Sequence, residues 1–133
     1  MTKYLTVEEV VTIHNHFVKK FGGVLGIRDA GLLESAVFRC QASFGGNDLY
    51  ETIFAKAAAI LHSMIFDHPF VDGNKRAAIM SAFSLLVRNG YDFKATDKEL
   101  EAFPLAVEKN RPEISEIAKW LKTHSKRIEP RFC

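Results

Sequence analysis

The stretch His68-Pro69-Phe70-Val71-Asp72-Gly73-Asn74-Lys75-Arg76 decides how this chain is read. It sets a potential base, a carboxylate, a glycine and two cations between two apolar helical patterns. Pro69 disfavours the helical conformation for His68, so the preceding helix is expected to end near Asp67. His68 is then expected on an extended segment, its ring free to face a cleft. Phe70 is expected to anchor the loop in the core. Gly73 permits a left-handed or tight backbone and carries no side chain to hold a ligand away. The run Ala77-Ala78-Ile79-Met80-Ser81-Ala82-Phe83-Ser84-Leu85-Leu86-Val87 reads as a helix. Gly73, Asn74 and Lys75 are thus delivered to a helix N-terminus, where unpaired N–H groups and the helix dipole form an anion site. Lys75 and Arg76 add full positive charge where the dipole already disfavours it, and an anionic ligand makes that arrangement economical. Asp72 at the lip is expected to cap the helix and also to hold Mg²⁺, a hard cation that takes carboxylate oxygens alongside phosphate.

Outward from this loop, the pattern is helical. Thr6-Val7-Glu8-Glu9 is a capping box that opens an amphipathic helix through Val10, Ile13, Phe17 and Val18, ended by Gly22-Gly23. Asp29 caps a second helix carrying Leu32, Leu33, Ala36 and Val37. A third is expected over about 49–66, with Ala55, Ala57, Ala58 and Ala59 allowing close packing, which marks it as the central buried helix. Asn89-Gly90 stops the helix after the loop. Thr96-Asp97-Lys98-Glu99 is a second capping box, and Pro104 is expected to kink or split its helix. Arg111-Pro112 breaks the chain before a last helix over about 114–124, with Ile117, Trp120 and Leu121 on one face. Short strands are expected only at Tyr91-Asp92-Phe93-Lys94 or near Phe44. The reading is an all-α, compact single domain with the active loop between two central helices: residues 1–125 form the domain and 126–133 a C-terminal tail.

Composition narrows the function classes. At 133 residues, 47% apolar and 26% charged, the chain has the make-up of one globular domain with a real core. A net charge of +2 gives no basic footprint for nucleic acid or membrane surfaces. The polar N-terminal segment does not resemble a signal peptide, and no apolar run reaches membrane-spanning length. The two cysteines, Cys40 and Cys133, make no disulfide framework, so a reducing cytoplasm is the expected compartment.

With these residues in place, His-Pro-Phe-x-Asp-Gly-Asn-Lys-Arg resembles the motif of the Fic/Doc family. Gly26-Ile27-Arg28-Asp29-Ala30-Gly31-Leu32-Leu33-Glu34-Ser35-Ala36 looks like the N-terminal segment of its death-on-curing (Doc) toxins, and Ala57-Ala58-Ala59-Ile60-Leu61-His62 like the helix before their motif. The likeness spans residues 4–124. Fic proteins usually transfer the AMP of ATP to a target hydroxyl; their loop typically has glycine where this chain has Lys75, and a second arginine where it has Ile79. Both departures match the Doc branch. A lysine fills the room that deep-lying phosphates need, so the resemblance implies that ATP binds in the reversed sense and presents its γ-phosphate. It implies a Doc-like protein Ser/Thr kinase, the toxin of a type II toxin–antitoxin pair, that inactivates a translation elongation factor of the Tu type. The alternatives are a Fic-type AMP- or nucleotidyl-transferase and a non-catalytic member that only binds a partner.

The family roles carry over by position. His68 is the expected general base; histidines titrate near neutral pH, which suits that role. Asp72 is the Mg²⁺ ligand. Gly73, Asn74 and Lys75 form the anion hole for ATP, with Lys75 also touching phosphate, and Arg76 stabilises phosphate charge. Residues 43–50 correspond to the family's flap beside the target segment. A separate Phd-like antitoxin is the implied partner, because Ser125-Lys126-Arg127-Ile128-Glu129-Pro130 only approximates the family's inhibitory motif and its partner arginine is replaced by Ile79. His62 reads as a packed helix residue. His14 and His16, two apart on a helix, do not make a metal pair. Trp120 reads as core, and Lys119, Lys122, Lys126 and Arg127 as a solvated face.

Overall fold

The structure, a computed structural model, describes residues 1–128; Glu129, Pro130 and Cys133 lie outside the described residues. The chain begins with α1 (Val7–Phe21), where the Thr6 hydroxyl accepts from the Glu9 N–H and the Glu9 carboxylate accepts from the Thr6 N–H, the reciprocal cap foreseen. In α2 (Ala30–Phe38) the Asp29 carboxylate accepts from the Leu32 N–H at 3.0 Å. A small antiparallel hairpin of β1 (Ser43–Phe44) and β2 (Asn47–Asp48) follows. Next comes α3 (Ile53–Asp67), which starts later than residue 49 because Thr52 caps it, its hydroxyl accepting from the Ala55 N–H at 3.0 Å. After the loop come α4 (Asn74–Arg88), β3 (Tyr91–Phe93), α5 (Asp97–Asn110), α6 (Ile114–Thr123) and β4 (Ser125–Arg127). β3 and β4 pair antiparallel, Tyr91 opposite Arg127 and Phe93 opposite Ser125, which joins the start of the expected tail to the domain. Both regions marked for short strands thus form one.

Pro104 does not split α5, which runs unbroken from Asp97 to Asn110. Pro104 and Val107 are buried against the core, and that packing holds the helix together across the residue. What proline does impose is chemical: it has no N–H, so the Leu100 carbonyl lacks its normal helical donor.

The core is built on α3. Ala57, Ala58, Ala59, Leu61, Met64 and Ile65 have no exposed surface. The alanines let α4 approach closely, and Ala77, Ala78, Ile79, Ala82, Leu85 and Leu86 meet them, equally buried. Each large side chain buried in this seam contributes about 1.5–3 kcal/mol relative to exposure. The α3–α4 seam is therefore the firmest contact near the loop, and it fixes both helix ends that the loop joins. Around it α6 packs on α3, and α1 and α5 pack on α4. A paired clamp ties the start of α1 to the end of α4: the Arg88 guanidinium donates to both carboxylate oxygens of Glu9, one of them at 2.8 Å. That hydrogen bond, with the one from the Thr6 backbone, pulls the Glu9 carboxyl from 4.5 down to about 2.

Buried polar groups fix the base of the β1–β2 hairpin. The Lys56 side chain is almost wholly enclosed, and its ammonium donates to the Asp48 carboxylate at 3.0 Å and to the Tyr50 carbonyl. Arg39 donates to the Tyr50 hydroxyl at 2.9 Å, to the Ser63 hydroxyl at 2.9 Å and to His62 Nδ1 at 3.0 Å. Burial, and then the neighbouring Arg39 charge, push the His62 imidazole below its ordinary 6.5. A neutral ring suits a nitrogen that accepts from a guanidinium.

Candidate active site

The motif loop is tethered from three sides, two of them by segments earlier in the chain. The α1–α2 connection pairs with it as a short antiparallel bridge, Ile27 opposite Phe70. Val71 N–H donates to the Gly26 carbonyl at 3.0 Å, and the N–H groups of Arg28 and Asp29 both donate to the Pro69 carbonyl, at 2.8 and 3.1 Å. The Arg28 side chain reaches over the end of α3, donating to the Asp67 and His68 carbonyls at 2.6 Å each. It thereby satisfies carbonyls that a helix C-terminus leaves without partners.

Those contacts explain a departure from the sequence reading. α3 ends at Asp67 as expected, but His68 is not extended: it takes the left-handed conformation, φ 48° and ψ 58°. A non-glycine residue held there stores about 1–3 kcal/mol of backbone strain, and the Arg28 bonds on both sides of it are what maintain it. The His68 side chain is exposed at the lip.

α1 supplies the second set of tethers. Its buried His14 stacks on Phe70, ring centroids 3.7 Å apart and nearly parallel. His14 Nε2 donates to the Asp72 carbonyl at 2.7 Å, which leaves Nδ1 beside the Asn15 side-chain amide at 3.1 Å. Phe70 is 1% exposed and is the core anchor foreseen. Gly73 adopts φ 72°, and a Cβ there would meet the Val18 side chain at 3.1 Å and His14 at 3.4 Å. Glycine is thus required at this position twice over, by conformation and by space.

The third tether is Asn74. It is buried at the start of α4, and its side chain bonds the Phe70 backbone in both directions: Oδ1 accepts from Phe70 N–H and Nδ2 donates to Phe70 C=O, each at 2.9 Å. Asn74 therefore faces any ligand with its backbone N–H, while its amide closes the loop.

Asp72 differs from the expected cap. The N-cap of α4 is Gly73, and no side chain caps the helix. The carboxylate instead accepts from the Gly73 N–H at 2.8 Å and the Val24 N–H at 3.2 Å, beside Gly23. The physical reason is the left-handed turn at Gly73, which carries the chain past the geometry in which a preceding carboxylate would meet the first-turn amides. Those amides are left for an external acceptor, with no acidic residue in the first turn to compete.

The two cations splay away from the loop. Lys75 pairs with Glu108 on α5 at 3.4 Å, both half-exposed. The Arg76 guanidinium lies over the ring of Phe21 at the end of α1, 4.4 Å from its centroid. Beyond them, between the first turn of α4 and α5, is a hollow of about 520 Å³ lined by Lys20, Phe21, Arg76, Asp97 and Glu101. A somewhat larger hollow of about 560 Å³, lined by Tyr4, Leu5, Leu33 and Phe38 among others, lies between the N-terminal segment and α2 and includes none of the motif residues.

These residues fit a polyphosphate with its metal. The uncapped helix start offers free amides to anionic oxygens, with the Lys75 and Arg76 cations in its first turn. Each Asp72 oxygen has one backbone partner and keeps lone pairs for a cation. Among the described residues no group of three His, Cys, Asp or Glu side chains is placed to hold a metal. Mg²⁺ is usually held through one or two carboxylates plus phosphate and water oxygens, and Asp72 would be the one carboxylate here. Sequence reasoning missed His14, Arg28 and the side-chain role of Asn74. The only sequence signal for His14 was its place one turn before Val18 on the buried face of α1.

Fold and loop together define a mostly helical domain that presents an uncapped helix start beside an exposed histidine and a carboxylate. A family model described as "Fic/DOC family" matches residues 4–86. The chain is 45% identical over 95 residues to "Toxin Doc" of Mycolicibacterium smegmatis, covering 71% of each protein. It is 32% identical over 88 residues to "Protein kinase doc" of Escherichia phage P1, covering 66% of this chain and 69% of that one. The chain belongs to the Fic/DOC family.

Proposed function

We propose that this chain is the toxin of a type II toxin–antitoxin pair and a protein kinase that moves the γ-phosphate of ATP to a Ser or Thr hydroxyl of a target protein. The target we infer is a translation elongation factor of the Tu type, the partner a Phd-like antitoxin and the compartment the cytoplasm. The observation that carries the kinase reading is at the start of α4. A lysine stands at position 75, and Ile79, where AMP-transferring relatives carry a second arginine, is sealed in the core with no exposed surface. In the first two turns of α4 the phosphate groups therefore find cations at Lys75 and Arg76 and none at position 79. The two relatives, one a toxin and the other a protein kinase, support this reading. Among the described residues no helix is long and apolar enough to cross a membrane.

Phosphoryl transfer is mostly positioning and charge stabilisation, and the loop supplies both. His68 takes the proton from the attacking hydroxyl. The amides of Asn74 and Lys75 hold phosphate oxygens at the helix start, with Gly73 shaping the turn that exposes them, and Arg76 stabilises charge on the phosphates as the bond to the leaving group breaks. Asp72 would hold Mg²⁺, which would supply neutralisation of phosphate charge.

The test uses ATP labelled separately at its α- and γ-phosphates, with purified elongation factor and whole-cell lysate as targets. Label is expected in protein from the γ-position only, and none with His68→Ala. Transfer from the α-position would instead make the chain an AMP-transferase, and growth arrest that survives His68→Ala would make catalysis irrelevant to toxicity.

A further inference from the structure

The hollow of about 560 Å³ between the N-terminal segment and α2 includes no motif residue, yet it is large enough to seat side chains of a partner. Its apolar lining is graded. Leu5 and Leu33 are buried, while Ile27 and Phe38 keep 46% and 48% of their surface open to water. Single exposed apolar residues are ordinary, but two that share a concave lining with buried leucines form a patch that gains by being covered. Among the described residues, the charged ones in this lining are Glu8 and Glu34. Both are exposed, and neither carboxylate forms an ion pair with a described residue. Glu8 lies in the first turn of α1, where the helix dipole favours it. Glu34 lies past the first turn of α2 and draws little from that source. An apolar hollow whose charges are two unpaired carboxylates complements apolar side chains flanked by Lys or Arg.

The place of Ile27 points to the owner of those side chains. Ile27 lines the hollow and is also the residue opposite Phe70 in the bridge to the motif loop. Its neighbours hold that loop directly: the Gly26 carbonyl accepts from Val71 N–H at 3.0 Å, and Arg28 donates to the His68 carbonyl at 2.6 Å. Residues paired across an antiparallel bridge lie about 5 Å apart, and His68 is two positions from Phe70. About three to five residues of extended chain, at roughly 3.3 Å each, cover that span. We propose that this hollow docks the phosphoacceptor protein by a segment outside its modified site, with apolar side chains on Ile27, Leu33 and Phe38 and a Lys or Arg facing Glu8 and Glu34. Docking there selects which hydroxyl of the target arrives at His68. The inference rests on the kinase reading and adds a criterion for the target: a basic and apolar segment within a few residues' reach of the modified Ser or Thr.

The test is steady-state transfer of label from ATP by the full chain to the protein that acquires it, with acceptor and ATP varied separately. Phe38→Ala and Glu34→Lys are each expected to raise the KM for the acceptor about tenfold, the loss of one good contact. Melting temperature, the KM for ATP and kcat at saturating acceptor stay at their wild-type values. Phe38→Leu keeps the apolar contact and restores the acceptor KM. Glu34→Lys is also expected to flatten the rise of the acceptor KM with salt. A wild-type acceptor KM in Phe38→Ala and Glu34→Lys alike overturns the proposal. With that KM unchanged, a dimer of the wild-type chain that Phe38→Ala dissociates gives the hollow to a second copy, and weakened neutralisation by a Phd-like antitoxin gives it to that partner. Label moving from the α-phosphate overturns the kinase reading instead, while the same KM series still reports on docking. No transfer from either phosphate overturns both.

Discussion

Single residues set the geometry of the loop, and Gly73 has the least freedom to change. Gly73→Ala meets both a left-handed backbone and the Val18 side chain at 3.1 Å. The expected cost is about 1–2 kcal/mol of stability, with phosphoryl transfer nearly abolished because the helix start shifts; chemical denaturation and the γ-label assay check the two effects separately. Asn74→Ala strips partners from the buried N–H and C=O of Phe70, and each unsatisfied group costs about 1–3 kcal/mol. A larger loss of stability than for Gly73→Ala is expected in the same denaturation series. The sequence displayed the members of this loop but not how they are divided. A glycine and an asparagine at a helix start read equally well as ligands, and only the bonds to Phe70 show that the asparagine side chain holds the loop. His14 was harder still, since a histidine on an amphipathic helix resembles any packed side chain until its partner Asp72, 58 residues away, is folded against it.

At the scale of elements, local signals were legible and long-range ones were not. The boxes at Thr6 and Thr96 and the stops at Gly22 and Asn89 fall where neighbouring residues dictate them. Pro104 was misleading because the packing that holds α5 continuous involves residues far along the chain. The link between α1 and α4 through Glu9 and Arg88 has a pH signature. The Glu9 carboxyl is depressed from 4.5 to about 2, so its contribution is complete above pH 4.5 and is lost as pH falls toward 2. Because the pair is about one-third exposed, solvent screening limits that contribution to roughly 1 kcal/mol. Glu9→Gln is therefore expected to flatten the loss of stability over that interval, measured by urea denaturation at stepped pH. His62 has the same sense at higher pH. Its folded state disfavours the proton, so stability is complete above 6.5 and declines as pH drops through and below that value. His62→Gln removes that decline in the same pH series.

At the scale of the whole molecule, the loop is a bridge between two buried helices, braced from behind by α1 and the α1–α2 connection. Arg28 tests this brace without touching the reacting groups. It is exposed, and the carbonyls it leaves can turn to water, so Arg28→Ala is expected to lower stability by less than about 1 kcal/mol. The same change releases His68 from its left-handed conformation and is expected to lower kcat about ten- to a hundredfold. Equal losses of kcat and melting temperature would mean that Arg28 only supports the fold.

Apart from Asn74 within the motif, the braces of the loop precede it in the chain: His14, Val18, Val24, Gly26 and Arg28 all come before His68. Asp97, Glu101 and Glu108, which face its cations, come after. During synthesis, then, these braces emerge before the loop that they hold, and the acidic residues of α5 emerge after it. A nascent chain that stops short of α5 has the braces of the loop but lacks the carboxylates that meet its cations.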